Sequence, residues 1–404
     1  LFFNSISFWD IVILNNTYKN TRFLEDKMQF SCLQDNISKG LANVSRAVAQ
    51  RAPLPITQNV LIEAEDSKLK ITATNLEIAI STWVSADVSE SGSLTLPARM
   101  LTDFINSLPS GEKVEVKKSK DRAAVEIVCN TFNGRISGTP SEEFPPIPET
   151  SESPTISISS KELKKSLGRV ALVAASDDSR PVLMGVKVDI DSDWITLAAA
   201  DGFRLAVDKI ALSGNENNNS SAIVPGKTML EIERLIDDSS QSTIQVSITD
   251  SSNQIMFNME NIQVVSQLIQ GQFPDYEKLI PNSSTTQTNV DRSKLLQSIK
   301  AASIFARDGS GIIKLVMDRN SNKISILSNA EEIGDLENDI EADVNGDDSK
   351  VAFNSKFLQD VVGVLNTDQI KIDTSSPSSP GVFTEKSNGD SNYRHVIMPM
   401  FVQW

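Results

Sequence analysis

Residues Pro97–Leu108 read PARMLTDFINSL, and the pattern returns in Pro225–Ile236 as PGKTMLEIERLI and in Asn354–Leu365 as NSKFLQDVVGVL. Apolar residues recur three and seven positions on in each copy: Leu101/Phe104/Leu108, Met229/Ile232/Ile236 and Leu358/Val361/Leu365. At 3.6 residues per turn that spacing gathers them on one face and predicts an amphipathic helix. The first members stand 128 and then 129 residues apart. A second helix family keeps nearly the same period: Ile37/Leu41/Val44/Val48, Leu163/Leu167/Val170/Ala174 and Leu295/Ile299/Ala302/Ala306, with first members 126 and then 132 residues apart. One stripe would mean only a packed helix. Two families recurring together mean a triplicated module.

Between the helices the pattern changes to β-branched alternation. The first module offers Val60–Glu65, Leu69–Ala73, Ile78–Val84, Val114–Val116 and Val125–Cys129 as strands. The second offers Val186–Ile190, Trp194–Ala198, Ile223–Val224, Ile244–Ile248 and Ile255–Met259, and the third Ile312–Met317, Lys323–Leu327, Lys350–Phe353 and Gln369–Ile372. Each module is therefore α+β, an antiparallel sheet covered by two helices. The joints are Glu142–Pro154 (EEFPPIPETSESP) and Gly271–Ser284 (GQFPDYEKLIPNSS), whose prolines stop helices and central strands. The expected domains are 28–152, 153–281 and 282–404. Residues 1–27 carry no basic cluster and no small-residue cleavage site, so they make a poor signal peptide. They are expected to be an upstream extension before a true start at Met28.

The 404 residues are 39% hydrophobic and 23% charged, enough for two to four cored domains at roughly 100–200 residues each. Two cysteines, Cys32 and Cys129, make no disulfide framework and fit a reducing, cytoplasmic setting. No apolar run approaches the ~18–20 residues of a membrane helix, so no membrane partner is expected. A single histidine, His395, removes most nucleophile–base and His-metal constellations. No phosphate-binding glycine loop or nucleophile elbow is present. Asp201 and Arg204 could be offered as a catalytic pair, but Ala200–Arg204 reads better as a strand end and turn around Gly202. The acidic run Glu331–Asp348 lacks the spacing of a calcium loop and reads as a solvated strand–loop edge. The expectation is a non-enzyme with no metal and no cofactor.

The net charge is −15, which excludes a uniformly basic nucleic-acid binder. The helices nevertheless run neutral to positive. Arg99, Lys227 and Lys356 each precede the first apolar member of their stripe by two positions. The other family carries Lys39, Arg46 and Arg51, then Lys161, Lys164, Lys165 and Arg169, then Arg292, Lys294, Lys300 and Arg307. A cationic helical surface on an acidic molecule suits phosphate contact without base reading. Such contacts are weak, on the order of 10⁻⁴–10⁻⁶ M, and salt-dependent.

Four strings in order carry a resemblance: Arg51–Ile56 (RAPLPI) with Asn59–Leu61, Ala200–Val207 (ADGFRLAV), Gly271–Tyr276 (GQFPDY) and Val396–Met400 (VIMPM). Together, on a threefold repeat, they resemble the bacterial DNA polymerase III beta subunit, the sliding clamp, over about residues 28–404. The resemblance implies the DNA clamp fold: three tandem domains, each with two helices lining a central pore and sheet outside, and a head-to-tail homodimeric ring. It implies a processivity factor that encircles double-stranded DNA without sequence preference. The implied partners are the polymerase III catalytic subunit, a clamp-loader ATPase, and other DNA polymerases and repair proteins with short clamp-binding motifs. A secreted or surface β-rich adhesion module is the alternative, disfavoured by the absence of disulfides and of a convincing signal peptide.

By matching strings, the family's peptide pocket would comprise Leu183 with Gly202, Phe203, Arg204 and Leu205. It would add Pro274, Lys278 and Leu279, and Val396, Ile397, Met398, Pro399 and Met400 at the tail. Aliphatic residues and unbranched methionines make an adaptable slot for several peptides. A short motif inserting Leu or Phe would bind in the micromolar range, about −8 kcal/mol. For DNA the resemblance points to Arg51, Lys164, Lys165, Arg180 and Lys227, with Arg99 and Lys356 added by register. For the dimer it pairs Ile136, on an edge strand, with Ile304 and Phe305 of the mate. The tail departs from the family: Phe401 stands where a basic residue is common, and Gln403-Trp404 extend further.

Overall fold

A computed structural model describes residues 27–49, 54–119, 123–147, 155–212, 219–238, 242–249, 253–308, 310–330, 334–386 and 391–403. The expectations about residues 1–26, Arg51 and Trp404 lie outside the described residues. Six α-helices occur among them: α1 (Gln34–Val44), α2 (Ala98–Ser107), α3 (Ser160–Val170), α4 (Gly226–Leu235), α5 (Arg292–Asp308) and α6 (Ser355–Val364). They are the two families read from the sequence, except that α1 and α3 stop a turn early: Val48 and Ala174, the expected fourth members of their stripes, follow short 3-10 turns outside the helices and are only half-buried. Pro97 and Pro225 stand immediately before α2 and α4. Asn354 caps α6 by accepting from the Lys356 and Phe357 amides at 2.9 and 3.3 Å. The stripes face inward: Leu295, Ile299, Ala302 and Ala306 of α5 are wholly buried, each larger side chain stabilising by about 1.5–3 kcal/mol.

The chain divides into two compact units, Leu1–Glu149 with Asn261–Val264, and Thr150–Glu260 with Val265–Trp404. In the first unit a five-stranded sheet runs Asp87–Glu90, Gln29–Leu33, Lys113–Lys118, Ala124–Cys129, Phe132–Ser137. A second antiparallel run is Ile78–Ser85, Lys68–Thr74, Asn59–Glu65, Gly92–Pro97. Helices α1 and α2 pack on each other, and α1 also packs on Ile78–Ser85.

The second unit holds the other two helix pairs. Its twelve-stranded sheet starts with Ser220–Pro225, Gly185–Ile190, Trp194–Ala200 and Arg204–Ala211. It continues through Tyr393–Ile397, Gly381–Glu385, Gln369–Thr374 and Thr286–Asp291, and closes with Gly334–Gly346, Lys323–Ala330, Ile312–Asp318 and Ser349–Asn354. The acidic run is thus mostly a strand, Gly334–Gly346, with its exposed face charged. Helix α3 packs on Arg204–Ala211 and α5 on Lys323–Ala330. No helix among the described residues is long and apolar enough to cross a membrane.

Candidate functional site

The second module's turn is built by one aspartate. Asp201 Oδ1 accepts from the Phe203 and Arg204 amides at 2.9 and 3.0 Å, and Gly202 sits at φ +93° between them. That left-handed angle is one that a side chain would resist. The turn aims the strand Arg204–Ala211 antiparallel to Tyr393–Ile397, with Arg204 opposite Ile397 and Leu205 opposite Val396. Side chains alternate faces along a strand. Leu205 and Val396 therefore share the face away from the helices, where they pack with Leu183, Phe273, Tyr276 and Val382 in one buried apolar cluster.

Exposed apolar residues neighbour these in the chain. Phe203 is 63% exposed, Leu279 51%, Met398 43% and Met400 36%. Met398 donates its amide to the Phe203 carbonyl at 2.8 Å, which joins the tail to the turn. Pro274 and Lys278 are also exposed, and Lys278 pairs with Asp275 at 2.7 Å. Pro399 is half-buried between the two methionines. The structure packs Leu183, Leu205 and Val396 together and ties Met398 to Phe203, while two of the expected slot residues are exceptions.

The exceptions are Arg204 and Ile397, which alternation turns to the helix face. Arg204 is buried there: Nε donates to Asp201 at 2.9 Å, Nη1 to Asp360 of α6 at 2.6 Å and Nη2 to the Leu172 carbonyl at 3.1 Å. Its guanidinium lies 4.4 Å from the Phe357 ring centre. It is a strut behind the slot and not a slot wall. Ile397 is a core residue beside it. Arg180 moves the other way. Its Nη1 lies 3.2 Å from where a Gly202 Cβ would stand, at the slot and not on a helix.

Below the sheet a second ionic group ties α3 to the tail strand. Arg169, expected on a cationic surface, is buried; it pairs with Glu385 and with Asp208 at 3.8 Å and stacks 5.0 Å from the Tyr393 ring centre. Burial pushes the Asp208 carboxyl up, against the pull of Arg169. Tyr393 and His395 Nδ1 share a hydrogen bond of 2.8 Å. Full burial, with Arg204 nearby, pulls His395 down to about 3, so it is neutral.

The cations named for DNA fall into two groups. Lys164 is held by Asp238 at 2.6 Å and by the Ile236 carbonyl, and Lys165 by Glu385 at 3.6 Å. Arg99, Lys227 and Lys356 each occupy the second residue of α2, α4 and α6 and are exposed. Arg99 has only a loose contact with Asp103 at 3.8 Å. None of these helices has an acid in its first turn. A cation there opposes the helix dipole, so the arrangement costs local stability and concentrates positive potential.

Ile136 lies in Phe132–Ser137, the edge strand of its sheet, but its side chain is buried within the first unit. The strand's backbone edge is what it offers. Ile304 on α5 is 58% exposed, which excludes an intrachain core role, and Phe305 is half-buried. Residues that the sequence reading did not place at the site are Asp360, Phe357, Phe273 and Tyr276, the last two lying in the quoted GQFPDY string. The acid–arginine spacing in Asp201–Arg204 was the available signal for the strut; nothing local pointed to Asp360.

Three family models match the chain: DNA polymerase III beta subunit, N-terminal domain, over residues 28–148, central domain over 157–275 and C-terminal domain over 277–401. The chain is 28% identical over 384 residues to the beta sliding clamp of Staphylococcus aureus, covering 92% of this chain and 99% of that one. It is similar to the DNA polymerase sliding clamp of Bacillus subtilis, with 26% identity, a TM-score of 0.87 and coverage of 93% and 100%. A Pseudomonas aeruginosa sliding clamp bound to griselimycin is similar at 26% identity, a TM-score of 0.84 and the same coverage.

Proposed function

The chain belongs to the DNA polymerase III beta subunit family, and from that premise we propose how its own residues do the work of a DNA sliding clamp. It is a non-enzymatic processivity factor built from three tandem similar domains, for which the boundaries 28–152, 153–281 and 282–404 are proposed. Two copies close head to tail, the edge strand Phe132–Ser137 of one meeting the Ile304–Phe305 surface of the other. Closure of such a contact makes a ring and satisfies the open strand edge. The observation that carries the reading is the threefold cation at the second residue of α2, α4 and α6, on a chain of net charge −15. Arg99, Lys227 and Lys356, with Lys164 and Lys165, meet phosphates without reading bases. The hold on DNA is enclosure, because the contacts themselves are weak.

Phe203, Leu279, Met398, Met400 and the aliphatic part of Arg180 form the mouth that takes partner peptides over a floor of Leu183, Leu205 and Val396. Tethering there raises a polymerase's effective concentration at the primer end. The proposed partners are the polymerase III catalytic subunit, a clamp-loading ATPase, and other DNA polymerases and repair proteins with short clamp-binding motifs, in the cytoplasm. The adhesion alternative, which the acidity and Ser/Asn-rich loops would fit, is not favoured by the three family-domain matches. Retention on nicked circular DNA, loaded with the ATPase present and then linearised, tests the reading. The expected result is retention on circles and loss on cutting. Equal retention on both forms removes topological linkage.

A further inference from the structure

We propose that the tail Met400–Gln403 adds a second step to the partner site, in which the Phe401 ring receives an apolar residue flanking the slot-filling residues of a partner peptide. The inference rests on the slot reading above. Phe401 is 87% exposed, more than any other large hydrophobic residue among those described. It is not on a frayed end. The Met400 amide donates to the Ala352 carbonyl at 2.7 Å, and Lys314 Nζ donates to the Gln403 carbonyl at 2.7 Å. Those bonds hold the backbone on both sides of the ring, and Pro399 stiffens the approach. Ala352 and Lys314 are register partners on neighbouring strands, so the tail crosses one face of that sheet edge.

The step is continuous with the slot. Met398 is bonded to Phe203, Met400 is exposed two residues further on, and Phe401 follows it. A ring held in place and left in water lowers the ordering cost of binding a second apolar group. The edge beneath it carries Lys314 and Lys350 on paired strands, with the exposed Asp347 and Asp348 just before one of them. Lys350 is exposed on the same strand as Ala352, and Ser349–Phe357 contains no acid. The occupant is therefore a partner peptide with an aromatic or aliphatic residue and a carboxylate beside its slot-filling core.

The test uses full-length dimer and three fluorescent peptides: a Leu-Ser-Leu core in Gly/Ser flanks, and the same core with Phe-Asp placed before or after it. One flanked peptide is expected to bind about five- to tenfold tighter than the core peptide, as an aromatic pair warrants. Phe401→Ser should erase that gain and leave core affinity unchanged. A gain below about twofold from both placements, or one that survives Phe401→Ser, overturns the proposal. If the core peptide itself binds Phe203→Ser and Met398→Ser variants as tightly as the wild type, the slot reading fails and this inference falls with it. Core binding that needs the slot, with no gain from Phe-Asp, overturns this inference alone.

Discussion

In the first module Thr74–Ile78, and in the second Ala200–Arg204, join neighbouring strands by the same path. The closing pairs are Thr74 opposite Ala79 and Ala200 opposite Leu205. Asn75 Oδ1 accepts from the Glu77 and Ile78 amides, both at 3.0 Å, as Asp201 does for Phe203 and Arg204. The next residue is left-handed in both, Leu76 at φ +77° and Gly202 at φ +93°. From there the two diverge. The fourth position is buried in each, but it is Ile78 in one and the ion-paired Arg204 in the other. The third is Glu77 in one and the exposed Phe203 in the other. The repeat supplies the backbone; an arginine strut and an apolar tip distinguish the copy proposed as a docking mouth.

The comparison breaks first at Arg204. Replacing it with Leu leaves Asp201 and Asp360 near one another without their cation. Breaking a buried pair from one side costs about 3–5 kcal/mol. The lower end is expected, because Asp360 is 29% exposed and water screens it. Denaturant unfolding followed in the second unit measures this, and adding Asp360→Asn should recover part of the loss. A cost under about 1 kcal/mol would make Arg204 no more than another Ile78.

Acid sharpens the same contrast. The chain's one histidine lies beneath the second turn, and its folded value of about 3 is below the ordinary 6.5. Between those values the unfolded chain binds the extra proton. His395's contribution to the stability of the second unit is thus complete above about pH 6.5 and is lost as pH drops toward 3, by at most about 1.4 kcal/mol per pH unit, while the raised Asp208 carboxyl acts in the opposite direction. His395→Gln should flatten that part of the curve. Hydrogen exchange should show the first unit, which has no buried histidine, insensitive over pH 6.5 to 5. Equal acid sensitivity in both units would mean that carboxylates dominate.

The helices are legible in the sequence because a stripe needs only local spacing, and Leu295, Ile299, Ala302 and Ala306 all bury as their period demands. Arg204–Ala211 is harder to read. Its residues 204–208 are buried on both faces, so RLAVD shows no alternation. For the same reason the face taken by Ile397 is hidden: Val396 and Ile397 are both buried, on opposite sides. The strings carried the proposed apolar mouth, whereas Arg180 reaches Gly202 only through tertiary packing. The ion partners of Arg169 lie 39 and 216 residues away, beyond any local pattern.

The finest test exchanges the left-handed residues. Gly202→Ala puts a Cβ at φ +93°, which costs about 1–2 kcal/mol for an L residue. Its only close neighbour among the described residues would be Arg180 Nη1 at 3.2 Å, the movable end of an exposed side chain, so little is added by crowding. Leu76→Gly relieves the same strain in the first module but frees the unfolded chain, which takes back about 0.5–1 kcal/mol. The pair should therefore differ in sign, Gly202→Ala destabilising and Leu76→Gly neutral to slightly stabilising, by chemical denaturation. Peptide affinity should follow only the first substitution, since it displaces Arg180 and tilts Phe203, while Leu76 sits at a turn with no mouth. If both substitutions destabilise alike, Leu76 contributes packing that its 41% exposure conceals, and the two turns share a path without sharing its energetics.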